Sequence, residues 1–387
     1  MRRALLLLAL ATVAAAATAQ SSVGYELHGF VNPHYYADSR SVVGGREDMM
    51  LFYPKPADTM AGGADLNDGW QADMLAITAR MGLRVNGPDV FGAKTIAYIE
   101  GDFTGSTNAT INNLRLRHAY IDMRWRNHRL LAGQYWYAMV VHEIMPMTNP
   151  LNMGSPFHCY ARQPQVRYEY AQHGFEAVAV ASWQLDNMSQ GLLDGQPASS
   201  AQFARHSMVP ELTAQLRYRT GGLLLGAAVN LKTIQPVVPD PAGRLHTSPT
   251  YSIFGSLRLG QITLKAQTLL NNSLYEGCSL GGYMMLADGA FRDWHFNTAW
   301  VDIERNGGKW RPGLLLGYAK NEDYGNTAYQ YLFGRGHDIE RLWRVQPRLT
   351  YDTGQRLALT AEAEYTHAAY SKAVGNLRLS LSAVYSF

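Results

Sequence analysis

Asn376-Leu377-Arg378-Leu379-Ser380-Leu381-Ser382-Ala383-Val384-Tyr385-Ser386-Phe387 closes the chain in a run of alternating apolar and polar side chains. Leu377, Leu379, Leu381, Ala383, Tyr385 and Phe387 alternate with Asn376, Arg378, Ser380, Ser382 and Ser386. Successive side chains of a strand point to opposite faces, so this segment has one oily face and one wet face. The same period recurs upstream. Leu212, Ala214, Leu216 and Tyr218 face away from Glu211, Thr213, Gln215, Arg217 and Arg219. Ile262, Leu264 and Ala266 oppose Thr263, Lys265 and Gln267, and Leu359, Ala361, Ala363 and Tyr365 oppose Thr360, Glu362, Glu364 and Thr366.

Short Gly, Asn and Asp turns join these strands in pairs. They fall at Asn86-Gly87-Pro88-Asp89, Arg126-Asn127-His128, Gln172-His173-Gly174, Thr220-Gly221-Gly222, Leu259-Gly260-Gln261, Asn306-Gly307-Gly308 and Asp352-Thr353-Gly354. Longer connections run over 37–70, 104–111, 138–161, 187–209, 236–249, 272–291, 321–338 and 368–375. The expectation is an all-β chain: a transmembrane antiparallel β-barrel of about 16 strands with short periplasmic turns and long extracellular loops. Lipid cannot satisfy an open sheet edge, so such a sheet must close. Tyr25, Tyr35, Trp125, Trp183, Tyr218, Trp310 and Tyr385 stand near strand ends, where interfacial aromatic girdles form. A secreted sandwich or propeller also alternates, but it buries its apolar face and needs no long/short loop asymmetry.

Composition agrees with a barrel. The 387 residues are 47% hydrophobic and 17% charged, against about 25% charged in ordinary soluble domains. Past the N-terminus there is no apolar run of about 18 residues for a spanning helix. Met1-Arg2-Arg3, the apolar Ala4–Ala17 and the small Ala17-Thr18-Ala19 read as a secretory signal over 1–19, cut near Ala19. Residues 20–387 then form one barrel domain in the outer membrane of a Gram-negative bacterium. With Arg2 and Arg3 removed the chain is nearly neutral, which gives no drive towards nucleic acid. Cys159 and Cys278 both fall in long connections. A disulfide is open to an exported chain, and so are two free thiols.

About 16 strands leave a water-filled lumen. Alternation aims Arg80, Arg84, Arg115, Arg117, Arg167, Arg217, Arg219, Lys232, Lys265, Arg344, Arg348 and Arg378 into it, against Glu26, Glu169, Glu211, Glu362 and Glu364. A cationic ring on a pore wall favours anions, and arginine grips carboxylates with two parallel bonds. The competing reading of each arginine is a rung that braces the wall. The connection 138–161, with His142, Glu143, Met145 and Phe157, is rich in Met and Pro and too apolar for an exposed loop. It is expected to fold into the lumen as a constriction, or else to lie on the rim or over a neighbouring subunit. His142-Glu143 is no HExxH pair. The Asp58–Gly69 segment reads as turn chemistry rather than a calcium loop. No nucleophile–base set appears. Neither enzyme chemistry nor a cofactor or metal is expected.

Three stretches carry a family resemblance: Leu114-Arg115-Leu116-Arg117-His118-Ala119-Tyr120, Gly133-Gln134-Tyr135-Trp136, and Ala161-Arg162-Gln163-Pro164-Gln165-Val166-Arg167-Tyr168. Their order resembles the DcaP-like trimeric outer-membrane porins. The resemblance implies a 16-stranded homotrimeric porin that passes small anionic, dicarboxylate-like solutes and is bathed in lipid and lipopolysaccharide. It makes Arg115, Arg117, Arg162 and Arg167 the first candidates for solute contacts. This chain departs from many relatives in having only Gln20 to Gly24 ahead of the first strand, where they bear a coiled-coil extension. A trimer would then rest on barrel walls, with Gly29, Gly133, Ala177, Ala179 and Ala181 as small outward contacts. Two other functions fit the same fold. One is a surface scaffold or adhesin that binds ligands through its loops. The other is a carbohydrate-selective porin with Trp136, Tyr98 and Phe30 as an aromatic slide.

Overall fold

The computed structural model describes residues 23–149 and 153–387; the expected leader lies outside them. Sixteen antiparallel staves form one closed sheet. They are β1 (Gly24–Val31 and His34–Arg40), β2 (Asp68–Leu75 and Arg80–Asn86), β3 (Lys94–Asp102), β4 (Arg115–Arg124), β5 (His128–Trp136), β6 (Arg162–Gln172), β7 (Phe175–Ser182) and β8 (Glu211–Thr220). The remainder are β9 (Leu223–Ile234), β10 (His246–Leu259), β11 (Ile262–Asn272), β12 (Phe296–Arg305), β13 (Trp310–Asn321), β14 (Arg341–Asp352), β15 (Leu357–Ala369) and β16 (Val374–Ser386). The break in β1 falls at Pro33, which has no N–H for the ladder.

Each stave pairs with its sequence neighbour, and β1 closes on β16 with Tyr35 opposite Leu381 and Phe30 opposite Ser386. Phe387 completes the seam. Its N–H donates to Gly29 O at 3.0 Å, and the Gly29 N–H donates back at 3.1 Å. The Phe387 ring lies over Gly29, where a Cβ would strike it. Gly29 is therefore covered by the chain's own terminus and is not free as an outward contact.

Burial is inverted relative to a soluble sheet. Along β8, Glu211, Thr213, Gln215 and Arg217 are buried, while Leu212 and Leu216 are 45% and 70% exposed. Such an oily exterior is stable only against lipid. Tyr25, Tyr35, Trp183, Tyr218, Trp310 and Tyr385 are exposed on it, as a girdle requires.

The seven short turns fall where the sequence places them. The long connections are L1 (41–67), L2 (103–114), L3 (137–161), L4 (183–210), L5 (235–245), L6 (273–295), L7 (322–340) and L8 (370–373). L8 is shorter than expected. L4 and L5 share a small sheet, as do L6 and L7. Leu192, Phe203, Tyr275, Tyr283 and Phe333 pack these two sheets together at the loop-bearing end.

L1 holds more than the turn chemistry read at Asp58–Gly69. Its hairpin, Val42–Gly45 with Met50–Pro54, buries Met49, Met50, Phe52 and Tyr53 in one apolar cluster with L3 and the wall residues Trp300, Ala319 and Leu342, and Leu51 is buried beside them. The cause is the oily run itself. Fully burying one large apolar side chain contributes about 1.5–3 kcal/mol, and five in succession favour an inward docking over water.

Candidate pore and its charged wall

The inner wall is a set of ion-paired rungs. Arg117 donates to Glu100 at 2.6 Å and to Asp102 at 2.9 Å; Arg115 holds Asp102 through two bonds, and Arg80 approaches Glu100 at 3.7 Å. Arg129 bridges Asp122 and Glu169, and Arg167 pairs with Glu169. Arg348 spans Asp302 and Glu304. Arg217 reaches Glu143 of L3 at 2.8 Å.

These rungs correct the charge count drawn from alternation. Asp38, Glu100, Asp102, Asp122, Glu176, Asp302 and Glu304 also face inward, each bonded to an inward cation. The wall as a whole has no large cationic excess. A bulge in β4 adds a ring beside these rungs. Register passes from Glu100–His118 to Gly101–Leu116, leaving Arg117 extra. Arg117 meets the inward carboxylates, while His118 meets the lumen rings of Tyr120 and Tyr135. A bulge lets two consecutive residues share one face.

Two candidate arginines are sealed from the lumen. Arg344 pairs with Glu364 at 3.0 Å and donates to the carbonyls of Leu51, Phe52 and Ser155. Arg378 pairs with Asp38 and donates to the carbonyls of Asp48 and Met49. Both are about 1% exposed under L1. They anchor the two inserted loops and touch no aqueous passage. Arg84 sits at the turn end, its Nε donating to Asn86 Oδ1 at 3.1 Å.

L3 runs along the inner wall. The Ala138 carbonyl accepts from Gln215, Met139 from Gln267, Met145 from Lys265, Phe157 from Thr298, and Glu362 accepts from the Asn149 N–H. These wall partners lie on β8, β11, β12 and β15. Met145 and Phe157 are buried against the wall, whereas His142, Glu143 and Met147 are exposed on the opposite side. Gly317 on β13 leaves room for the Phe157 ring, which a Cβ there would strike.

At the loop-bearing end, L1, L2, L3, L4, L6 and L7 enclose a cavity of about 320 Å³. Arg46, Arg115, Arg162 and Arg335 line it, with Asp186 and Glu276. Arg115 is held by Asp102, and Glu276 by Lys232 at 2.7 Å. Among the described residues Arg46, Arg162 and Arg335 form no ion pair. Arg162 lies over the Trp136 ring at 3.9 Å and donates to Tyr160 Oη at 3.0 Å; Arg335 lies over Phe52 at 4.0 Å. The Arg46 Nε and one Arg335 terminal nitrogen are buried without a partner. The Tyr160 phenol at the end of L3 reports the local field. Burial opposes its ionisation, yet the guanidinium groups of Arg162, Arg117, Arg80 and Arg115 draw it down to about 7.

Along the wall a file of rings runs up to the end of L3. His28, Tyr98, Tyr120, Tyr135, His118, Trp136 and Tyr160 follow one another with centroids 5.0–5.6 Å apart. Trp136 and Tyr98 belong to it. Phe30 does not; it lies beneath Arg80 at 4.8 Å. Gly133 stands opposite the lumen-facing Tyr120 and so lies on the inner face, contrary to its expected outward role. Ala177 and Ala179 are exposed outward along a shallow alanine-lined groove over β6–β9, and Ala181 is half-buried.

Arg46, Arg335 and the L1 cluster were not found by alternation, because alternation assigns faces only within strands. The run Met49-Met50-Leu51-Phe52-Tyr53 was the available signal, of the same kind that marked L3.

The fold and lumen together define a sixteen-stranded barrel of the outer-membrane porin type. The resemblance read from the β4, β5 and β6 motifs is met in fold. The outer-membrane channel DcaP of Acinetobacter baumannii superposes with a TM-score of 0.69 at 20% identity, over 95% of this chain and 99% of that one. The anion-selective porin of Comamonas acidovorans does so at 0.59 and 11% identity, over 95% and 100%. The trimer form of OmpT from Vibrio cholerae gives 0.57 and 11%, also over 95% and 100%. No family model matches the sequence, and no curated protein matches it.

Proposed function

We propose that this chain is an outer-membrane porin for passive diffusion of small hydrophilic solutes, preferring anions, and that it works as a homotrimer. One observation carries the anion preference: Arg46, Arg162 and Arg335 share one cavity at the mouth without ion-pair partners, with Asp186 as the opposing lining carboxylate not held by a cation. An unpaired guanidinium offers two parallel N–H donors to a carboxylate and keeps its charge at any working pH. The preference thus resides at the entrance rather than along the whole wall, whose remaining arginines are neutralised by their rungs. Solute contacts narrow to Arg162 and Arg115 from the sequence candidates, joined by Arg46 and Arg335. L3, with His142 and Glu143 exposed, sets the size limit. There is no chemical step. The trimeric OmpT form and the outward alanine groove over β6–β9 support assembly through barrel walls.

Reversal potentials in a salt gradient across a planar bilayer test this reading. Anion preference is expected; clear cation preference would reject it, and absence of conductance would favour a surface scaffold. The ring file from His28 to Tyr160 favours a second reading, diffusion of neutral sugars along an aromatic slide. Liposome swelling with neutral sugars against dicarboxylates of equal size separates the two.

A further inference from the structure

L3 and L6 meet through their cysteines. The Tyr160 N–H donates to the Gly277 carbonyl at 2.6 Å, so the residue after Cys159 is joined to the residue before Cys278. The two cysteines thus flank a single backbone hydrogen bond between L3 and L6, the kind of close approach a disulfide requires. The Cys159 sulfur rests directly on Gly277, where any Cβ would collide with it. Glycine at 277 thus lets this sulfur sit on the backbone beside Cys278. Cys278 holds a left-handed conformation, φ 60°, after the short helix Tyr275–Gly277. A non-glycine residue kept there carries strain that the surroundings must over-determine. Cys159 is fully buried; Cys278 is half-buried and opens onto the arginine-lined cavity.

We propose that Cys159 and Cys278 are a disulfide site, bridged in the mature protein, that staples the C-terminal root of L3 to L6. The two sulfurs are unbonded in this structure. The proposal rests on the reading that the chain is exported, since structural disulfides persist in oxidising compartments. The oxidant is a disulfide carrier, either an oxidised dithiol protein or a small oxidised disulfide. The Cys278 thiolate attacks one carrier sulfur, giving a mixed disulfide and expelling one carrier thiolate. Cys159, losing its proton, attacks the Cys278 sulfur and expels the second carrier thiolate. Two electrons and two protons pass from the pair to the carrier. Burial pushes the Cys159 thiol well above its ordinary range, so it is a poor nucleophile once L3 is seated. The exchange therefore precedes docking of L3, while the chain is still open. Once formed, the bridge holds the L3 end that carries Tyr160 and leads into Arg162, and so fixes the mouth cavity.

The test uses wild-type protein isolated from outer membranes, denatured in N-ethylmaleimide without reductant, then digested and analysed by mass spectrometry. The expected result is one linked peptide pair containing Cys159 and Cys278, two hydrogens lighter than the sum of the separate peptides, and alkylation of both thiols only after reduction. Alkylation of Cys159 in more than half of the chains without reductant would overturn the proposal. Bilayer conductance of the same preparation is read separately. A bridged protein that does not conduct would end the porin reading and leave the staple. A conducting protein with two free thiols would do the reverse.

Discussion

The Arg162 guanidinium lies 3.9 Å from the centre of the Trp136 ring and has no carboxylate partner. Arg162 opens β6 and Trp136 ends β5, and the two stand opposite each other in the ladder. The ring face supplies a weak counter-charge; with Nε donating to His118 and one terminal nitrogen to Tyr160, the other terminal nitrogen is the donor left for a transient anion contact. Arg162→Ala is therefore expected to lower the anion-to-cation permeability ratio by up to about tenfold, since one charge some 6 Å from the ion in a watery site changes anion and cation about threefold each, in opposite directions. Arg162→Lys should keep part of the preference. Arg167→Ala, which removes a wall arginine paired with Glu169 while Arg129 still holds that carboxylate, should move the ratio less. Reversal potentials of the three variants check this; an unchanged ratio in Arg162→Ala would remove the mouth cavity from the account.

Tyr160 gives the mouth a pH dependence. Its phenol, drawn down to about 7, is neutral below that pH and anionic above it. Each ionised phenolate cancels one positive charge beside Arg162. Anion preference should then weaken as pH rises from 6 to 8, and Tyr160→Phe should flatten the profile at the low-pH value. The His142 pKa is lowered, first by desolvation on L3 and then by the guanidinium groups of Arg167, Arg129 and Arg217, against the opposing pull of Glu143; the comparison with Tyr160→Phe isolates the phenol's share. Selectivity measured across this range in wild type and Tyr160→Phe decides the point.

Arg344 was expected in the pore and is found as an anchor. Arg344→Met leaves Glu364 buried without its guanidinium and strips donors from the carbonyls of Leu51, Phe52 and Ser155. Breaking a buried pair by removing one partner costs about 3–5 kcal/mol. The unfolding midpoint of the detergent-solubilised barrel in urea should fall accordingly. The permeability ratio should move less than in Arg162→Ala, since Arg344 touches no aqueous passage.

The staves were legible in the sequence because a lipid-facing barrel writes its two faces at period two. β8 and β16 read residue by residue as the structure has them. The turns were legible because hairpins need Gly, Asn or Asp at fixed places. The charge balance of the lumen was not. Asp302 and Glu304 lie on β12, beside the inward Trp300, where the inner face is mixed rather than polar, and Arg117 is an extra residue in a bulge. Alternation with Val301 and Ile303 does mark Asp302 and Glu304 as inward, so a count taken mainly from the cations was incomplete; the pairing across strands, and His118 turned inward by the bulge, needed the fold. The mouth cavity was least legible. Arg46 and Arg335 come from L1 and L7, and only the fold brings them to Arg162.

The seat of L3 depends on Gly317 as much as on the loop. The Phe157 ring fills the space where a Cβ at position 317 would stand, and Phe157 is fully buried. An aromatic ring cannot yield as a flexible chain end does, so one added methyl must displace the ring or the strand. Overpacking of this kind costs about 1–3 kcal/mol. Gly317→Ala is expected to lift the Phe157 segment off β12 and β13, breaking the Thr298 bond to the Phe157 carbonyl. Loosening L3 on this side changes the constriction while leaving the arginines of the mouth in place. Single-channel recordings should show a changed conductance with larger open-channel noise, and little change in the permeability ratio. Phe157→Ala in the same background restores the room and should bring the noise back down. If Gly317→Ala conducts as wild type does, L3 is not what limits the passage.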